Sequence, residues 1–173
     1  MMIHLEYKNH RYLRIIAATT IVILALSLLL PVSRAAEPDA VNQVVWHVDF
    51  GDPVRMGRTL TSVNNMLITY EGMLAEHDIR IVFLGAGIRF VTSDPLEKTP
   101  FAEDKVMQQE RKVLMERLQS AMGQGIKLEL CKITVNAIKL DADKIMKGVV
   151  LVPSGVVSIA EYQRKGYAYL KAD

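Results

Sequence analysis

Cys131 is the residue with the clearest claim to covalent chemistry, because it is the sole cysteine in a chain of 173 residues. It closes the apolar run at 126–130 and opens a segment at 132–140 that can wind as a short helix. A thiol between a strand's C-terminal end and a helix N-terminus meets unpaired backbone N–H groups and the positive end of the helix dipole. Both favour thiolate, as does the charge of the neighbouring Lys132. The opposite reading is a small apolar filler, since free cysteines are among the most buried residues.

Other candidates are weaker. His47 and Asp49 alternate onto one side of the β-branched and aromatic run at 43–50, and as a pair suit proton transfer or metal ligation. No further His or Cys completes a ligand set at recognisable spacing, so the plainer reading is a hydrogen-bonded strand-end histidine and a carboxylate serving the next helix. His77 reads as a solvated cap at a helix end. Gly85-Ala86-Gly87 is a lone G-x-G with no P-loop lysine behind it. Ser154, in Pro-Ser-Gly, lacks the G-x-S-x-G elbow and reads as a turn or helix cap. Met66 and Met73, like Met115 and Met122, fall seven residues apart, which fits helix filler rather than copper ligation. No metal or cofactor is expected.

The elements that must position these residues alternate. Strands are expected at 43–50, 79–84, 126–131, 149–152 and 167–170, with 88–92 as a short extended extension. Helices are expected at 54–76, 101–122 and 156–165, with a short one after Cys131 and a restart near 141–143. Asp52 is placed as an N-cap and Pro53 as the first helical residue, and His77-Asp78 ends that helix. Its apolar stripe is Met56, Leu60, Val63, Leu67, Tyr70 and Leu74, broad enough with Met66 to suit a subunit contact. The stripe of the next helix is Val106, Val113 or Leu114, Leu118 and Ala121. The first four strands are near-continuous apolar runs, so the expected fold is a three-layer α/β/α sandwich with a mainly parallel sheet. Reactive groups then collect at the C-terminal strand ends, where Cys131 falls.

Residues 1–35 read as a targeting segment. Lys8, Arg11 and Arg14 precede an uncharged stretch at 15–30, and Ser33-Arg34-Ala35 offers a small-x-small cleavage site. Cleavage after Ala35 is expected, with an uncleaved inner-membrane anchor as the alternative. Residues 36–173 then form one domain in the periplasm, with 17 basic against 18 acidic residues. Neither nucleic acid nor anionic membrane is implied as a partner by that balance.

Several segments resemble the DsrE/DsrF-like family. They are Val152-Pro153-Ser154-Gly155-Val156-Val157, the block from Tyr162 through Gly166-Tyr167-Ala168-Tyr169-Leu170-Lys171, and His47-Val48-Asp49-Phe50-Gly51-Asp52-Pro53 with Asn64-Asn65. The cysteine followed by Asn136-Ala137-Ile138-Lys139 also matches in place. The resemblance implies a five-stranded parallel sheet, trimers or hexamers, and a cysteine that carries sulfane sulfur as a persulfide. That role transfers onto Cys131. Lys132 is its expected thiolate stabiliser from charge alone, since Lys132-Ile133-Thr134 departs from the small, glycine-containing turn of the family. His47, Asp49, Asn64, Ser154 and Gly155 are possible site neighbours. Sulfur donor and acceptor proteins would be the partners. The competing expectation is a non-catalytic periplasmic binding or assembly module with an inert cysteine.

Overall fold

The computed structural model describes residues 41–172, so the expected targeting segment and its cleavage site lie outside the described residues. Five strands form the sheet: β1 (Asn42–Val48), β2 (His77–Phe83), β3 (Lys127–Cys131), β4 (Val150–Val152) and β5 (Ala168–Lys171). Four α-helices connect them: α1 (Pro53–Gly72), α2 (Lys105–Gly123), α3 (Lys132–Ile138) and α4 (Gly155–Arg164). The sheet order is β4-β3-β2-β1-β5 and every pairing is parallel.

That order dictates the layers. From β1 to β4 the chain steps one way across the sheet, so its right-handed crossovers stack on one face. The connection from β4 to β5 runs back the other way and puts α4 on the opposite face. On the first face, Val44, Trp46, Val48, Ile79, Ile81, Phe83, Leu128 and Leu130 pack against α1 and α2. On the second, the intervening residues Val45, Val82, Leu84 and Cys131 meet Ile159 of α4 and Tyr167. The period-two alternation of the strands thus feeds two cores of unequal size. The thin layer is one ten-residue helix, and Val150 and Leu151 of the edge strand β4 remain exposed.

Local chemistry sets the boundaries. The Asp52 carboxylate accepts from the N–H groups of Val54 and Arg55, and Pro53 occupies the first helical turn, as expected. The helix stops earlier than its apolar pattern, because Leu74 adopts a left-handed φ of 53° and turns out to solvent. His77 and Asp78 consequently begin β2 rather than end the helix. In α2 the buried stripe is Met107, Leu114, Leu118 and Ala121; Val106 and Val113 are exposed. Asp104 explains the shift, since by capping the Met107 N–H it fixes the phase of the first turn.

Residues 85–90 form a 3-10 turn rather than an extended segment. At Gly87 a Cβ would lie 2.5 Å from the Val48 carbonyl oxygen, so this glycine lets the turn fold back on β1. The methionines Met66, Met115 and Met122 pack against the larger core as filler, while Met73 is exposed.

Candidate functional site

Strand order decides where the thiol sits. The connection leaving β3 turns toward the α1/α2 face, where Val135 of α3 joins the larger core. The connection leaving β4 turns to the α4 face. The C-terminal ends of these adjacent strands therefore part, and such a divergence is where open α/β sheets hold ligands. Cys131 is the last residue of β3 and the N-cap of α3, and its side chain faces α4.

Its sulfur is 4 % accessible at the residue level but well supplied with donors. Burial pushes the thiol up. Hydrogen bonds from the Gly155 N–H, the Thr134 N–H and hydroxyl, and the Ile133 N–H outweigh that, and hold it below its ordinary value. The donors come from the first turns of both α3 and α4. Thr134 is oriented for the task, because its Oγ1 accepts the Gly85 N–H at 3.1 Å and leaves its own hydrogen for the sulfur. Gly155 is required by space: a Cβ there would lie 2.8 Å from Leu84 Cγ and 3.2 Å from Cys131 Cβ. Ser154 caps α4 by accepting the Val157 N–H at 3.5 Å, a cap as the sequence suggested.

Lys132 is exposed, and the groups bonded to the sulfur are those above. The sequence could place a lysine beside the thiol but not say which way it points. The link from Gly85 through Thr134 to the thiol has one signal in the sequence, a hydroxyl three residues after a strand-end cysteine.

His47 and Asp49 form a separate cluster on β1. The His47 Nδ1 lies 2.9 Å from the Tyr169 hydroxyl, and Nε2 is 3.7 Å from Asp49. Asp49 accepts Lys171 Nζ at 2.7 Å instead of serving α1. Burial holds His47 below its ordinary value, against the pull of Asp49; the Lys171 hydrogen bond holds Asp49 low. Strand β2 separates β1 from β3, so this cluster lies about 10 Å from Cys131 across the sheet. Asn64 is exposed on α1 and lines a cleft of about 300 Å³ between α1 and α2, away from the thiol. Gly155 is thus the expected neighbour that adjoins Cys131, with Ser154 before it as the cap of α4. Among the described residues, no group of three or more His, Cys, Asp or Glu is arranged to hold a metal ion. No described helix is long and apolar enough to cross a membrane.

Beneath α4 lies a network absent from the sequence reading. Arg80 donates to Glu129 Oε1 at 3.0 Å, to the Tyr162 hydroxyl at 2.9 Å and to Asp78 Oδ2 at 2.9 Å. Tyr162 donates to the same Glu129 oxygen at 2.5 Å, and Tyr167 and Lys127 both donate to Asp78. Burial, reinforced by Glu129, pushes the Tyr162 hydroxyl up to about 12. Charges inside two otherwise apolar parallel strands were the signal for this network.

Sheet and site together define a parallel α/β domain with a buried thiol at a strand divergence, where donors from two helix starts hold it low. A family model for the DsrE/DsrF-like family matches residues 47–172, and the chain belongs to that family, which is linked to sulfur relay. Among solved structures, a protein of unknown function, MTH1491 from Methanobacterium thermoautotrophicum, is 26 % identical with a TM-score of 0.59, covering 74 % of this chain and 96 % of its own. The ychN protein from E. coli is 17 % identical with a TM-score of 0.47, covering 75 % and 98 %. No curated protein matches in sequence.

Proposed function

We propose that this protein handles sulfane sulfur, with Cys131 as the carrier residue. The observation that carries the reading is the place of Cys131 where β3 and β4 part, at the start of α3 and with Gly155 of α4 packed directly on it, so that N–H groups from both helix starts hold the thiol low. Such donors favour an anion, whether thiolate or persulfide. In loading, the Cys131 thiolate attacks the outer sulfur of a donor persulfide R–S–SH. The Cys131 S–S bond forms, the donor's S–S bond breaks, and R–S⁻ departs. In unloading, an acceptor thiolate attacks the outer sulfur and releases the Cys131 thiolate. Neither step needs an external oxidant or a cofactor.

Residues 1–35 as a cleaved signal would deliver the domain to the periplasm, where a thiol without an internal partner avoids intramolecular oxidation. Assembly into a homo-oligomer, a trimer or hexamer as the family resemblance implies, fits the exposed Val150, Leu151, Val156 and Val157.

The low exposure of Cys131 favours a second reading, a non-catalytic binding or assembly module. Incubation of folded protein with polysulfide, read by intact mass, separates the two. Added sulfur that disappears in Cys131→Ser supports the carrier. No uptake, where a small free thiol takes up sulfur, leaves the module.

A further inference from the structure

Glu129 is an expensive residue to keep in this sheet. It is 3 % exposed, its Oε2 is buried without a hydrogen-bond partner, and so is Asp78 Oδ1. Desolvation often cancels what a buried ion pair gains, so stability is a weak reason for such a network. Its geometry offers a better one.

On β3, Glu129 and Cys131 are two residues apart and face the same side, about 7 Å along the strand. On α4, Gly155, Ile159 and Tyr162 form one stripe at intervals of four and three, and this stripe faces the sheet. Strand and helix are therefore joined at two levels. At one, the Tyr162 hydroxyl is fixed between Glu129 at 2.5 Å and Arg80 at 2.9 Å. At the other, two helical turns away, Gly155 packs against Cys131 so closely that a Cβ there would lie 3.2 Å from the cysteine Cβ, which brings its N–H to the thiol. Arg80 also stacks on the Tyr162 ring at 4.7 Å, and Asp78 anchors Arg80 from behind. Since α4 is the only α-helix on its face among the described residues, no neighbouring helix holds it in register.

We propose that Tyr162 is a positioning residue: clamped by Glu129 and Arg80, it fixes α4 along the sheet and so sets the Gly155 N–H on the Cys131 sulfur. The inference rests on the thiol chemistry proposed above, but concerns how the anion is held rather than what it carries. Loss of the clamp lets α4 slide or lift, and since Leu84 already crowds Gly155 on the sheet side, the movement open to its N–H is away from the sulfur.

Tyr162→Phe is the test, since it removes one oxygen and keeps the ring against Arg80 and Tyr167. It changes no formal charge at neutral pH, so any effect on the thiol comes from movement of α4 or from the lost hydroxyl dipole on Glu129. Glu129, two residues from Cys131 on the same face, is the nearby charge in the strand; losing that charge alone would move the thiol the opposite way, downward. Thiolate ultraviolet absorbance against pH, with Cys131→Ser as blank, reads the midpoint without requiring reagent access. Leu118→Ala, in the opposite layer, serves as a destabilised control.

Tyr162→Phe should raise the midpoint by roughly half a unit to one unit, which lowers the thiolate fraction near neutrality about three- to tenfold. Leu118→Ala should leave it unchanged. An unchanged midpoint in folded Tyr162→Phe, or an equal rise in the Leu118 control, overturns the proposal. Sulfur uptake by the wild-type protein is measured separately: its failure would sink the carrier reading while leaving this result standing.

Discussion

Gly155 and Cys131 approach so closely that a methyl group on the glycine would sit 3.2 Å from the cysteine Cβ. The same approach lets a backbone N–H from α4 reach the sulfur. Glycine here serves closeness rather than an unusual backbone angle, since its φ is not in the left-handed region. Gly155→Ala should push the first turn of α4 outward. The expected cost is about 1–3 kcal/mol of stability, as for overpacking elsewhere, with an upward move of the thiol. Denaturant unfolding and thiolate absorbance check the two effects independently, and a folded variant with an unmoved thiol would contradict the geometry.

Stability should depend on pH through this one sulfur. The folded value lies below the ordinary 9.0, so in the window between them the unfolded chain binds the proton that the native protein has lost. Stability from this group is fully present above 9.0, and disappears as pH falls through the folded value. The stability gap between wild type and Cys131→Ser should therefore widen as pH rises toward 9.0. Urea unfolding at several pH values measures it, and a constant gap would contradict the depressed thiol.

Thr134 and Lys132 should behave differently from what proximity in sequence suggests. Thr134→Val removes a hydroxyl whose orientation Gly85 fixes, and should slow polysulfide loading at neutral pH by about three- to tenfold. Lys132→Gln removes an exposed charge that solvent already screens, and should change loading less than twofold or so. Time-resolved intact mass compares them. The reverse order would restore the lysine to the role its position implied.

The mature protein should begin at Ala36, because Ser33-Arg34-Ala35 is the best small-x-small site after the apolar run. N-terminal mass analysis of protein from the cell envelope reads this directly. An intact Met1 in the membrane fraction would establish an anchor instead.

Light scattering at micromolar concentration should return a mass above that of one chain. Val150 and Leu151 on the edge strand and Val156 and Val157 on α4 are exposed apolar side chains that association would bury. A monomer mass would count against assembly.

Element type was legible where a periodic pattern ran long and a capping residue marked its start, as at Asp52-Pro53 or Ser154-Gly155. It failed where a single side chain or backbone angle overrode the pattern. Leu74 fits the apolar stripe of α1 yet ends up 95 % exposed, because the helix has already turned at a left-handed residue. Cys131 could be placed at a strand end from sequence, since its position follows from where an apolar run stops. Its donors could not, because three come from Ile133 and Thr134 of α3 by local geometry and one comes from Gly155, which reaches β3 through the β4 crossover. Arg80 and Glu129 were passed over for a similar reason: each looks like an interruption in its own strand, and only β2–β3 pairing brings them together.

Three kinds of N–H and one hydroxyl converge on a sulfur that is otherwise packed in hydrocarbon, and this biases the chemistry of exchange in a particular direction. A thiolate stabilised by donors is a better leaving group and, by the same stabilisation, a less aggressive nucleophile. In the relay proposed above, Cys131 would accordingly be poised more for discharge than for capture. The rate of giving sulfur to an acceptor should then exceed the rate of taking it from a donor of equal intrinsic reactivity, so that at equal donor and acceptor concentrations the empty form of such a carrier would predominate.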